Sequence, residues 1–351
     1  MSCENLTRAP EHRPAKAVSA DGRNRASSRG VLRALTLGSL AALFITELVL
    51  AWPRLAEAVS HLQAPHPGWL AAAVAMALGS MANYGRMQRS LLRSADVRLS
   101  LHQHIGMAYA AHSLNETLPG GPAFSTRFNY QQLRRYGVSP AIASWSIALS
   151  GIFSAAALAA ISAGAAVAAN SKPSWGTLSA LCFTGLLLSY AIRQLTRYPH
   201  TVQPIIRSVL ASVNRLLSRP ADHGLDRLRD LVNQLRAARL TPGHAVSAAM
   251  FALLNWLLDA LCLWLSFRAV GGGSVSATAL ILAYCAGMAA ATITIVPGGL
   301  GIIDSALILG LVAGGVDTAT AIAATVLYRL ISFGFIVGAG WIVWLAMRRH
   351  R

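Results

Sequence analysis

The ten residues Ile295–Asp304 read IVPGGLGIID and follow a long, almost uncharged apolar run, where a membrane-spanning helix would be expected to continue. Instead, Pro297 removes a backbone donor, and the two glycines after it disfavour helix. Unpaired backbone groups are costly in lipid. The stretch is therefore either an ordinary turn or a helix interrupted inside a membrane.

The composition of the chain is that of a membrane protein. Of 351 residues, 54% are hydrophobic and 12% are charged. Most of the apolar runs are long enough to cross a hydrocarbon core, which takes roughly 20 helical residues. These runs are 31–52, 68–85, 140–169, 176–192, 244–267, 276–296 and 318–347. We expect the basic leader 1–30 to be disordered and the first run to be a retained span.

Neither the cysteines nor the net charge of +17 indicates a metal or nucleic-acid site. Cys3, Cys182, Cys262 and Cys285 lack metal-type spacing, and three of them lie in apolar runs, where they are expected to pack as small hydrophobic residues. The arginines cluster between the apolar runs, which is typical of membrane topology. We therefore predict no metal, no cofactor and no nucleic-acid partner.

The P-G-G break occurs twice. LPGG at 118–121 precedes VPGG at 296–299 by 178 positions, and the pair Gly137–Val138 precedes Gly315–Val316 by the same offset. The offset also aligns 68–90 with 246–268. We therefore predict an internal repeat, with repeat 1 over 31–169 and repeat 2 over 176–347.

Each break is predicted to lie in a re-entrant helical hairpin. The first hairpin takes residues 102–136 and the second 279–314, with new half-helices that begin at Gly121 and Gly299. Broken backbone at membrane depth needs cover from protein or from a water-filled cavity, so the P-G-G sites should be internal. With about six full spans, the prediction is an all-α polytopic membrane protein.

The distribution of positive charge predicts the topology. Threading the spans places 26 Lys and Arg on one side, including the termini and the basic loop 193–240, against three on the other. The crowded side is cytoplasmic by the positive-inside rule, so both termini are predicted to be cytoplasmic in the cell membrane. The two hairpins then open to opposite sides, and the repeats are inverted. The loop 193–240 is predicted either to lie on the anionic inner leaflet or to be a solvated linker.

Inverted repeats with interrupted helices are typical of carriers, whose substrates bind near the interruption. A new half-helix offers unpaired N–H groups and a partial positive charge, which attract an anion such as phosphate. The missing Cβ of glycine lets a headgroup approach the backbone. This chemistry predicts a phospholipid site at each break.

Polar groups near the breaks complete the predicted substrate site. A charge inside a span is costly and therefore favours function. We expect Asp304 and Arg329 to pair, either at the site or as a structural lock. Asn255 and Asp259 share a helix face and either line the cavity or join helices. The predicted substrate-binding residues are Glu116, Pro119, Gly120, Gly121, Arg127, Asn255, Asp259, Pro297, Gly298, Gly299, Asp304 and Arg329.

Two further interpretations are open at the first break. His112 lies one turn before Glu116, so the two either relay protons or merely pack. Arg127 either meets a phosphate or extends to the membrane interface.

Two stretches resemble a known family. Val296–Phe333, VPGGLGIIDSALILGLVAGGVDTATAIAATVLYRLISF, and Asn115–Ala143, NETLPGGPAFSTRFNYQQLRRYGVSPAIA, are similar to the hallmarks of the lysylphosphatidylglycerol synthase transmembrane region, or flippase-like domain. The resemblance implies a unit that flips aminoacylated phosphatidylglycerol made by a separate soluble domain. Because the chain ends at Arg351, we expect no such domain here. The family usually has glutamate at the position of Asp304.

The function predicted from these features is lipid transport without enzyme activity. The substrate is an anionic or aminoacylated phospholipid, or a related lipid-linked headgroup, and a separate synthase or transferase is a possible partner. The alternatives are a component of a polyprenyl-phosphate glycosyltransferase and a regulatory membrane protein. Against the glycosyltransferase, the sequence contains neither a D-x-D motif nor a cluster of metal-ligating residues. The identity of the lipid and the oligomeric state are left open.

Overall fold

Nine α-helices form the part of the chain that the computed structural model describes, which is residues 65–169, 190, 240–293 and 297–349. They are α1 Pro67–Ser94, α2 Leu101–Thr117, α3 Gly121–Arg135, α4 Pro140–Ala169, α5 Pro242–Ala269, α6 Ala277–Ile293, α7 Ile302–Ala313, α8 Thr318–Arg329 and α9 Ile336–Arg349. The leader 1–30, the predicted spans 31–52 and 176–192, and nearly all of the loop 193–240 lie outside the described residues.

Three described helical stretches are long and apolar enough to cross a membrane. They are α4, α5 and the continuous stretch Thr318–Arg348, in which a π-helical segment, Leu330–Phe335, joins α8 to α9. Helix α1 has 28 residues, but Ser80, Asn83 and Gln88 are buried inside the protein and make the helix less apolar than predicted for a full span. Helices α6 and α7 are apolar but shorter.

Helix α5 presents an exposed apolar stripe. Its members are three or four residues apart and therefore share one helix face. They are Val246, Met250, Leu254, Leu257 and Leu261, each at least 36% exposed. A continuous exposed stripe of this kind is what a lipid-facing surface requires. The described part of the chain is thus all-helical and apolar, as predicted.

Helices α1 and α5 are packed antiparallel to each other. Near the end of α1, the Ser90 hydroxyl donates to the His244 carbonyl at the start of α5, at 3.1 Å. In the middle of both helices, the Ser80 hydroxyl lies 2.9 Å from the carbonyl oxygen of Asn255. At the opposite end, the His66 N–H donates to the Ala269 carbonyl at 2.9 Å.

The repeat register of this helix pair differs from the prediction. The turn after α1 is closed by Val97 N–H donating to the Leu92 carbonyl, and the turn after α5 by Gly272 N–H donating to the Phe267 carbonyl, both at 3.0 Å. Equivalent positions are therefore 175 residues apart, the separation of Ser80 from Asn255, rather than 178. The prediction for 68–90 and 246–268 was wrong by three residues, because repeat 2 has three more residues between this turn and its P-G-G break.

From the breaks onward, the backbone recurs at the predicted offset of 178. Gly120 and Gly298 have φ of 69° and 65°, and Gly137 and Gly315 have φ of 81° and 89°. These are left-handed conformations that favour glycine. Equivalent hydrogen bonds of 3.1 Å close the turns at Gly137 and Gly315. Val138 N–H donates to the Leu133 carbonyl, and Val316 N–H donates to the Leu311 carbonyl.

Each P-G-G break joins two helices that pack against each other. Helices α2 and α3 flank the first break, and α6 and α7 flank the second. Their bounds lie within a few residues of the predicted hairpins. One detail was wrong: Pro297–Gly299 forms a 3-10 turn, and the following helix begins at Ile302 rather than at Gly299.

The crossing of α2 and α9 depends on one small residue. A Cβ at Gly340 would collide with the Ser113 hydroxyl and the Tyr109 carbonyl, and Ser113 also donates to the Val337 carbonyl at 2.8 Å. Gly340→Leu should therefore destabilise the protein by about 1–3 kcal/mol, the usual cost of overpacking. Gly338→Leu is the matched control, because the space beside Gly338 is open. Equal thermal stability of the two variants in detergent would contradict this packing.

Candidate substrate site

A cavity of about 640 Å³ is lined by helices from both predicted repeats. This volume is in the range of sites for small ligands. Four of the predicted residues line it, namely Glu116, Asn255, Asp259 and Arg329. The rest of the lining includes apolar residues, such as Met81 and Met288, which suit a partly apolar ligand. A cluster of three or more metal-ligating side chains is absent from the described residues.

Asp259 is the most firmly held polar group of the cavity. One carboxylate oxygen, Oδ2, accepts hydrogen bonds from the hydroxyls of Tyr284 at 2.6 Å and Tyr328 at 2.9 Å. Helices α5, α6 and α8 therefore meet at this carboxylate. The two tyrosines fix the orientation of this carboxyl group, which also lines the cavity, where a donor on a ligand can reach it.

The other end of the polar lining comes from repeat 1. The Glu116 carboxylate accepts from the Asn115 side chain at 2.9 Å, and His112 lines the cavity one turn earlier. Asn129 also lines the cavity, and its buried Oδ1 has no hydrogen-bond partner among the described residues. The lining thus holds two carboxyl groups, Asp259 and Glu116, together with the Arg329 guanidinium and several hydroxyl and amide groups, so the cavity offers both acceptors and donors to a ligand.

Asn255 is mainly structural, although it lines the cavity. It is buried, and both its carbonyl oxygen and its Oδ1 accept from the Ser80 hydroxyl, at 2.9 Å and 3.1 Å. Of the two interpretations left open for Asn255, joining helices is the one that these contacts support. Asp259, one turn later, also joins helices, through Tyr284 and Tyr328, and lines the cavity.

The predicted pair of Asp304 and Arg329 is present. Arg329 Nε lies 3.0 Å from Asp304 Oδ1, in an ion-pair contact rather than a linear hydrogen bond. Arg329 Nη2 also donates to the carbonyl of Gly298, at the centre of the second break. Asp304 Oδ2 accepts from the Gly301 N–H at 2.8 Å. Arg329 thus ties α8 to the second break and to the start of α7.

The expected phosphate site at the second break is already filled by the protein. The Asp304 carboxylate lies at the start of α7, where an external anion was predicted to bind. A Cβ at Gly298 would collide with Phe333, and a Cβ at Gly299 would collide with Ile303. In this structure, the space in which a headgroup was predicted to approach these glycines is occupied by the side chains of Phe333 and Ile303.

The first break is more open, although its glycines differ from each other. Gly120 is exposed with nothing within 4 Å of the position of a Cβ, whereas Gly121 is buried against the backbone of Asn115. The prediction that both breaks are internal is therefore correct for Gly298 and Gly299 and wrong for Gly120. Pro119 and Arg127 do not line the cavity, and Arg127 is exposed. The Pro297 side chain lies outside the described residues.

Comparison with known proteins agrees with this membrane architecture. The sequence profile of the lysylphosphatidylglycerol synthase TM region matches residues 34–340, which is most of the chain. The protein belongs to this family. It is also similar to the UPF0104 membrane protein PH1989 of Pyrococcus horikoshii, with 35% identity over 106 residues, or 29% of this chain and 30% of that protein. The matched part thus spans less than a third of that relative.

Membership confirms the resemblance noted in the sequence, and the protein is a multi-pass membrane protein. The family's name refers to synthases of an aminoacylated phospholipid. In this member of the family, the shorter carboxylate of Asp304 still reaches both Arg329 and the Gly301 N–H. Sequence reasoning missed Tyr284, Tyr328 and Asn129, because tyrosine and asparagine in apolar helices carry no motif until packing brings them together.

Proposed function

We propose that the protein moves a phospholipid headgroup across the cell membrane. The observation that carries the proposal is the cavity, which brings the carboxyl groups of Asp259 and Glu116 together inside an all-α membrane protein. Ionisable side chains are expensive inside a membrane protein, and they favour a functional site by default. The proposal assigns binding and movement to the protein, and no reaction on the lipid.

The repeats support a transport mechanism of the alternating-access type. Helices α1 and α5 are repeat-related and run antiparallel, which is the relation expected of inverted-topology repeats. We propose that the two helix–break–helix units are re-entrant hairpins that open to opposite sides. In this topology both termini are cytoplasmic, as the charge asymmetry of 26 to three predicts.

The lining of the cavity favours an aminoacylated phospholipid over a purely anionic one. Asp259 and Glu116 are carboxylates that suit an ammonium group, and the second break holds no free anion site because Asp304 occupies it. The apolar part of the lining suits the glycerol and the upper acyl chains. A separate synthase is then the partner that supplies the lipid.

Reconstituted vesicles test this function. With the protein present, aminoacylated phosphatidylglycerol placed in both leaflets should become fully accessible to an impermeant amine reagent added outside. In protein-free vesicles only the outer half should react. The matched tracer is phosphatidylglycerol labelled on an acyl chain, scored by an impermeant quencher, and it should move more slowly. No movement of either lipid would rule out the proposal, and equal movement of both would contradict the role of the acceptors.

A further inference from the structure

The two breaks have the same backbone but different surroundings. At the offset of 178, Arg329, Asp304 and Phe333 of repeat 2 correspond to Gly151, Thr126 and Ala155 of repeat 1. Gly151, Thr126 and Ala155 are all exposed, and nothing lies within 4 Å of a Cβ at Gly151. Repeat 1 therefore lacks the side chains that surround the break in repeat 2.

Those side chains form a closed set of contacts, which we call the latch: Gly298, Asp304, Arg329 and Phe333. Arg329 joins the Gly298 carbonyl to the Asp304 carboxylate. The Phe333 ring lies 5.2 Å from the Arg329 guanidinium in a cation–π contact, and the same ring fills the space beside Gly298. Each member of the latch contacts at least one other.

The helix that carries the latch is irregular at this point. The π-helical segment Leu330–Phe335 begins directly after Arg329 and contains Phe333. The corresponding part of α4, residues 152–157, is regular α-helix. Single π-helical turns are frequent at functional sites, because their wider turn can be gained or lost locally. The asymmetry thus extends from the side chains to the backbone.

Arg329 and Phe333 also line the cavity. The latch therefore lies between the cavity and the second break. Pro122 and Ser125, which follow the first break directly, line the cavity together with the small, exposed residues Gly151 and Ala155. A ligand has open space at one break and packed side chains at the other.

We propose that the latch is a gate between the cavity and the membrane face to which the second break opens, the repeat-2 face. In this structure the cavity is closed towards that face and accessible from the opposite face, to which the first break opens, the repeat-1 face. Opening towards repeat 2 requires Arg329 to leave Gly298 and Asp304 and Phe333 to leave the break. This inference concerns the route into the cavity, so it stands whichever molecule is transported.

Two repeat-related serines supply matched probes. Ser332 and Ser154 both line the cavity and are 178 positions apart. In a protein whose four cysteines are replaced by alanine, Ser332→Cys or Ser154→Cys is labelled with an impermeant maleimide from each face of oriented vesicles. With the latch intact, Ser154→Cys should react from the repeat-1 face only, and Ser332→Cys, whose hydroxyl position is buried, should react little from either face. With Arg329→Gln, labelling from the repeat-2 face should rise by about tenfold or more, which corresponds to roughly 1.4 kcal/mol of lost stabilisation.

Arg98→Gln is the control, because it removes an exposed arginine outside both the cavity lining and the predicted site. The reciprocal variant, Gly151→Arg with Thr126→Asp, keeps the latch and should reduce labelling from the repeat-1 face by a similar factor. This second arm decides the question if Arg329→Gln does not fold. Unchanged labelling from the repeat-2 face in a folded Arg329→Gln protein, or unchanged labelling from the repeat-1 face in the reciprocal variant, would overturn the proposal.

Discussion

Replacing Asp259 by asparagine should lower lipid translocation by about 100-fold and leave the protein folded. The amide oxygen of asparagine can still accept from the hydroxyls of Tyr284 and Tyr328, so the junction of α5, α6 and α8 is preserved. What is lost is the negative charge that would bind the ammonium group of the lipid. A hydrogen bond to a charged group contributes roughly 1.5–3 kcal/mol, and the upper part of that range gives the expected factor.

The controls for this variant separate charge from structure. Asp317→Asn removes a carboxylate that caps α8 through the Thr320 N–H and lies outside the cavity lining, so it should leave translocation unchanged. Tyr328→Phe removes one of the two hydroxyls that hold Asp259 and should reduce translocation less than Asp259→Asn does. Initial rates in the vesicle assay, together with melting in detergent, decide between these cases. Normal translocation by folded Asp259→Asn would exclude the carboxylate from the site.

The sequence alone was enough to predict the features that follow from the chemistry of a few residues. A proline followed by two glycines interrupts a helix whatever the distant residues are, so both breaks, and most bounds of the helices around them, could be predicted. The pairing of Asp304 with Arg329 was also predictable, since two opposite charges in apolar segments are stabilised by meeting.

Features that depend on distant residues could not be predicted in the same way. Phe333 fills the space beside Gly298 although it lies more than 30 positions away, and no periodicity indicates that contact. Asn129, on α3, lines the same cavity as Asp259 only because packing brings α3 and α5 to it. The register of α1 and α5 failed because an ungapped alignment cannot detect three additional residues between two well-matched segments.

The glycines of the two breaks should therefore respond unequally to alanine, rather than alike as symmetry alone would suggest. Gly121→Ala is expected to have the largest effect, because its Cβ would collide with the backbone of Asn115, which cannot rotate away. We expect a loss of at least about 3 kcal/mol, beyond most single substitutions, and little folded protein. Gly120→Ala is the matched control: its neighbourhood is open, and its φ of 69° costs alanine about 1–2 kcal/mol.

Gly298→Ala lies between these two cases, and its outcome links fold to mechanism. Its Cβ meets the ring of Phe333, which can move, but only by leaving its place over Arg329. We therefore expect a moderate loss of stability together with increased labelling of Ser332→Cys from the repeat-2 face. Folded yield and thermal melting measure the first effect, and maleimide labelling measures the second. If Gly120→Ala and Gly121→Ala were equally stable, the close approach of Gly121 to Asn115 would be wrong. If Gly298→Ala lost stability without any change in labelling, Phe333 would be a packing residue and not part of a gate.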